Sequence, residues 1–134
     1  MQGDKIVLDS SVIAALYFTD PYSDWASDIV NVWRHIYTVD IAYVEVTNVA
    51  WKRIHLYKQP KREILQGLKE AIKFINNICM VADSRTIIKD ALELALNAKI
   101  TIYDALFVYL AKKHNTYLAT LDKKLVNSLR PTIY

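Results

Sequence analysis

The 134 residues suffice for one domain with a real core, and with 53% of them apolar or aromatic the chain can fold without a metal or disulfide staple. A single cysteine, Cys79, excludes an internal disulfide, and His35, His55 and His114 are too scattered for a zinc spacing. The net charge of +3 barely argues for nucleic acid by itself, and charges interrupt every apolar stretch before it reaches the length of a leader or membrane span, so a cytoplasmic protein with no membrane partner is expected.

Ile6, Val7 and Leu8 form an unbroken apolar run, which suits a short strand buried on both faces. Asp9 follows at once, and VIAALYF over 12–18 reads as helix, so a carboxylate stands where strand turns into helix. Ligands collect at that edge of open α/β sheets. The position also suits an N-cap, with the carboxylate taking free amide hydrogens, and the stretch alone does not separate the two readings. Asp20-Pro21 stops the helix. A second helix is expected from 22 to about 34, with Trp25, Ile29, Val32 and Trp33 near one apolar face that is either core or a groove for a partner helix.

A strand over 36–39 and a cap at Asp40 lead into a long helix from 41 to about 57. There Ile41, Ala42 and Val49 surround Glu45 at helical spacing, so its carboxylate rises from an apolar stripe. Buried carboxylates are costly unless paired, hydrogen-bonded or bound to a cation. A solvated glutamate at the helix edge is the alternative, and Asn48 offers a polar neighbour one turn on. Pro60 opens a helix over 61–76, a short strand covers 79–82, and Asp83-Ser84 caps a helix over 86–97. Asn97 is expected to take the left-handed C-cap in a chain with only two glycines, Gly3 and Gly67.

TIYDALFVYLAKK begins a helix over 101–114, with Thr101 and Asp104 forming a variant of the capping box. Yet Ala105, Phe107, Val108 and Ala111 make the surrounding face apolar and aim Asp104 at whatever packs there. A strand over 117–119 runs into Thr120-Leu121-Asp122, repeating the strand-then-carboxylate arrangement of Asp9. A helix from 122 to about 129 and a strand candidate at 132–134 complete the chain. Strands alternating with helices indicate an α/β fold in three layers, a mainly parallel sheet with helices on both faces.

Taken singly, Asp9, Glu45, Asp104 and Asp122 each have a structural explanation; their joint placement is what points to chemistry, since all four are able to converge at the carboxyl edge of a parallel sheet. Like charges about 4 Å apart repel by roughly 4 kcal/mol at an effective dielectric near 20, so such a cluster calls for protons or cations. Oxygen ligands without histidine or thiolate favour Mg²⁺ or Mn²⁺. One ion would activate a water, and a second would hold the leaving oxygen in phosphodiester cleavage.

VLDSSV at 7–12, EVTNVAWK at 45–52, YDALFVYLAKK at 103–113 and TLDKKL at 120–125, in this order and at these separations, make the sequence resemble the PIN-domain family and, within it, the small ribonuclease toxins usually called VapC. The resemblance covers nearly the whole chain and implies a single PIN-like nuclease domain over 1–134, with a doubly wound α/β/α fold. It implies Mg²⁺- or Mn²⁺-dependent cleavage of RNA with one or two ions, a cognate antitoxin that inserts a segment near the acidic pocket, and a homodimer. Residue by residue, Asp9, Glu45, Asp104 and Asp122 match the family's acidic positions. Asp9 and Asp104 are the expected direct ligands, and Glu45 and Asp122 act directly or through water. Ser11 matches a Ser/Asn position that hydrogen-bonds within the site, and Thr120 a Ser/Thr beside the fourth acid. The sequence departs where Asn97-Ala98-Lys99 replaces a glycine often found before the third motif, which touches a turn rather than the chemistry.

With the acids as reference, the basic run Lys52, Arg53, Lys58, Lys61 and Arg62 becomes a candidate RNA track rather than only a solvated face. Two other functions remain open: a housekeeping nuclease in RNA maturation, and a noncatalytic module that holds a protein on a Trp25/Trp33/Trp51 surface.

Overall fold

The computed structural model describes residues 4–128, so the strand candidate at 132–134 lies outside the described residues. Chain order is β1 (Lys5–Leu8), α1 (Ser10–Tyr17), α2 (Ser23–Val32), β2 (His35–Val39), α3 (Ala42–His55), α4 (Lys61–Asn77), β3 (Met80–Ala82), α5 (Ser84–Ala98), α6 (Ile102–Lys113), β4 (Tyr117–Ala119) and α7 (Lys123–Ser128). All pairings among the four strands are parallel, in the order β3-β2-β1-β4. Ile6, Val7 and Leu8 are fully buried, as a central strand covered on both faces requires.

The helices divide as the sheet demands. α6 packs on β1, β2 and β4 with α5 against it, while α1, α3 and α4 pack on one another, with α1 touching β1, α4 touching β3 and α2 lying on α1. α6 carries the largest share of this burial: Ala105, Leu106, Phe107, Val108, Leu110 and Ala111 are all buried. Three layers result, with one hydrophobic cluster running through them.

The order of the strands places the functional edge. The chain steps outward from β1 to β2 to β3, then returns through α6 to the far side of β1 with β4. That reversal makes the crevice beyond β1 and β4 the switch point of the sheet, where helices leave in opposite directions and a ligand can enter. Asp9 directly follows β1, and its amide donates to the Ala119 carbonyl of β4 at 3.2 Å, so the two strand ends are tied together there.

Three local expectations are corrected. Asp40 does not cap α3; its Oδ2 accepts from the Ser84 amide and hydroxyl at 3.1 and 3.2 Å, because β3 runs beside β2 and brings the start of α5 closer than the start of its own helix. The left-handed residue after α5 is Lys99 (φ 59°, ψ 44°) rather than Asn97, since the helix runs on through Ala98. Val32 is 69% exposed and does not share the buried face of Ala26 and Ile29 on α2.

Candidate active site

Asp9 is the innermost of the four acids. It is the N-cap of α1, and its Oδ1 accepts from the Ser11 amide (3.0 Å), the Val12 amide (3.3 Å) and the Ser11 hydroxyl (2.5 Å). The capping and functional readings therefore describe the same side chain. Burial nevertheless pushes its carboxyl up to about 6, against the lowering effect of the Ser11 and Thr120 hydroxyls and the Val12 amide, and the Asp104 charge adds to the rise.

Glu45 sits in the first turn of α3, half-buried, with Oε1 accepting from Ser10 Oγ at 2.9 Å. Its pKa is raised by burial, against the Ser10 bond, and further by Asp9 and Asp104. Asp104 occupies the first turn of α6, where the Thr101 hydroxyl accepts from its amide at 3.2 Å. Burial and the Asp122 charge raise its pKa. Asp122 is exposed and caps α7, accepting from the Lys124 and Leu125 amides at 3.0 and 3.3 Å.

The four carboxylates thus feel one another: Asp9 with Asp104, Glu45 with both, and Asp104 with Asp122. The three ion pairs seen among the described residues, Arg53–Asp20, Lys73–Glu70 and Arg85–Asp83, involve none of them. All four donors are oxygens, which fits a hard divalent cation. Among the described residues no group of three or more His, Cys, Asp or Glu side chains is placed to hold a metal ion. A cation here would take few carboxylates directly and keep waters, in the manner of Mg²⁺.

The supporting hydroxyls make this edge continuous. Ser11 Oγ donates to Asp9 and accepts from the Leu121 amide at 3.0 Å, joining the ends of β1 and β4, and Thr120 Oγ1 accepts from the Asp122 amide at 3.1 Å. Ser10 is a supporting residue that sequence reasoning did not assign; its adjacency to Asp9 was visible, but its partner lies 35 positions away.

Beside Glu45 opens a cavity of about 430 Å³ lined by Ser10, Val44, Glu45, Asn48, Lys52 and Tyr103, among others. Lys52 therefore shares this cavity with Glu45. Arg53 is engaged elsewhere, paired with Asp20 at 3.2 Å and donating to the Thr19 carbonyl at 2.6 Å. Lys58 lies beyond the end of α3 with a left-handed backbone (φ 55°), and exposed Lys61 and Arg62 follow at the start of α4. The Trp25/Trp33/Trp51 surface does not form, because Trp33 is buried edge-on against Tyr117 while Trp51 is exposed on α3, stacked on His55. Burial pushes the Cys79 thiol up to about 12, so it is no nucleophile at neutral pH.

The model of the PIN-domain family matches residues 6–127 of this chain. The chain belongs to the PIN-domain family and, within it, to the VapC type. It is 36% identical over 121 residues to ribonuclease VapC3 of Pyrobaculum aerophilum, covering 90% of this chain and 92% of that protein. The crystal structure of PAE2754 from Pyrobaculum aerophilum superposes with a TM-score of 0.74 at 21% identity, over 99% of this chain and 87% of the other, which supports the fold. No single helix among the described residues is long and apolar enough to cross a membrane.

Proposed function

We propose that the protein is a Mg²⁺- or Mn²⁺-dependent endoribonuclease of the cytoplasm, the toxin of a toxin–antitoxin pair. The observation that carries this reading is Asp9: a buried carboxylate pushed up to about 6, with Asp104 and Glu45 as its charged neighbours. Such an arrangement is costly unless a cation or proton compensates it, and costly perturbed acids cluster at functional sites. The 36% identity to a protein named ribonuclease VapC3 supplies the substrate class.

In this reading Asp9 and Asp104 are direct ligands, and Glu45 and Asp122 act directly or through water. Bound Mg²⁺ or Mn²⁺ would supply the positive charge that lets a water ionise near neutral pH and offsets charge gathering on the phosphate oxygens. The chain's own residues contribute position. Ser11 and the first amides of α1 fix the Asp9 carboxylate, Ser10 fixes Glu45, and the Thr120 hydroxyl steadies both Asp9 and the turn that carries Asp122. Lys52, at the rim of the cavity beside Glu45, would meet a backbone phosphate of the RNA. A cognate antitoxin and a second copy of the chain complete the proposal; the exposed Ile88, Leu92 and Leu96, one turn apart along α5, offer apolar surface to a protein partner.

Asp9→Asn and Asp104→Asn, each folded by circular dichroism, are expected to lose at least a hundredfold in Mn²⁺-dependent cleavage of single-stranded RNA. The wild type should also stop cutting in excess chelator. Cleavage that survives both substitutions contradicts the assignment. Co-purification of a small protein that inhibits the activity distinguishes a toxin from a housekeeping nuclease.

A further inference from the structure

A second recess opens on the other side of the acidic edge. It measures about 300 Å³ and is lined by Tyr22 and Trp25 at the start of α2, Thr120, Leu121 and Lys123 around the turn after β4, and Val126 of α7. Its turn is part of the acidic site: Asp122 lies between Leu121 and Lys123, and the Leu121 amide donates to Ser11 Oγ, the hydroxyl that donates to Asp9. The walls are aromatic and aliphatic, with Tyr22 46% exposed and Trp25 half-buried, and the exposed Lys123 supplies a cation.

An exposed tyrosine ring and a half-buried tryptophan ring next to a cation, adjoining the proposed site of phosphodiester chemistry, match the chemistry of a heterocyclic base with its own phosphate. The volume admits one base and is too small for a helix of a protein partner. We propose that this recess holds one unpaired base of the RNA beside the cleaved bond, stacked against Tyr22 and Trp25, with Lys123 meeting the adjoining phosphate. The proposal rests on the nuclease reading and adds a consequence: a base engaged in a duplex does not reach the recess, so cutting requires an unstacked nucleotide at that place.

The test is Mn²⁺-dependent cleavage of a short single-stranded RNA in which one abasic nucleotide is moved position by position past the cut bond, by the wild type, Tyr22→Ala and Trp25→Leu. One position is expected to lower wild-type kcat/KM about tenfold, the order of a single base–aromatic stack. Tyr22→Ala should lose a similar factor on intact RNA, and the two losses should not multiply. Trp25 packs partly on the core, so if Trp25→Leu fails to fold, the more exposed Tyr22 carries the test. Losses that multiply, or a flat abasic scan with an active wild type, overturn the recess and leave the nuclease reading intact. A wild type that cuts no RNA overturns both. Unchanged cleavage by Tyr22→Ala together with weaker binding of a co-purifying inhibitor assigns the recess to a protein and likewise overturns the proposal.

Discussion

Three donors converge on one oxygen of Asp9, yet its carboxyl is pushed up to about 6, because burial outweighs the bonds that favour the charge. The unfolded chain releases this proton near 3.8 and the folded chain only near 6, so the folded state binds more protons in between. Stability from this group is therefore fully present below pH 3.8 and is lost as pH rises through about 6, by about 3 kcal/mol at 1.36 kcal/mol per unit. Asp9→Asn, which retains an acceptor for the cap, should unfold at a higher temperature than the wild type in metal-free buffer at pH 7.5, and the difference should vanish near pH 4. Thermal denaturation of both proteins across that range checks it; a variant less stable than the wild type at pH 7.5 contradicts the account of Asp9. At this scale the four acids were legible from their motifs. The Ser10–Glu45 bond and the turn of Asp40 toward Ser84 were not, because a side chain's partner across 35 or 44 positions is set by strand order rather than by local pattern.

Elements meet closely where a side chain is missing. A Cβ on Gly67 of α4 would stand 2.5 Å from the Tyr17 carbonyl oxygen and 2.9 Å from Phe18 Cδ1, so α4 crosses the end of α1 with no room to spare. Gly67→Ala gains helix propensity but must push backbone apart, and overpacking of this kind costs about 1–3 kcal/mol. Chemical denaturation should show that net loss with the cooperative transition preserved; unchanged or increased stability would mean that the two helices part freely. Element type was readable throughout because apolar spacing separates the buried strands from the amphipathic helices, as in α4 with Ile64, Ala71 and Ile75 buried. Ends were less readable. Lys99 holds the left-handed position after α5, where its amide and that of Ile100 close back to the Ala95 carbonyl, and nothing in a lysine announces that role. At Thr101 the hydroxyl takes the Asp104 amide and also favours the charged form of the Asp104 carboxylate, while burial and the Asp122 charge raise its pKa.

For the molecule as a whole, the decisive feature is that β4 returns beside β1, which turns two separate strand-then-carboxylate segments into neighbours across one crevice and lets α3 and α6 lean Glu45 and Asp104 into it. The alternation of strands and helices made a parallel sheet readable, but the position of β4 next to β1 is a property of topology that no single stretch encodes. None of the four acids takes part in the ion pairs seen among the described residues, and the divalent ion proposed above is the partner that oxygen donors of this kind would suit. Anomalous diffraction from crystals grown with Mn²⁺ addresses this directly. The account predicts a peak against the Asp9 and Asp104 carboxylates that disappears in Asp104→Asn; manganese bound only elsewhere on the surface, or a site indifferent to that substitution, would contradict it.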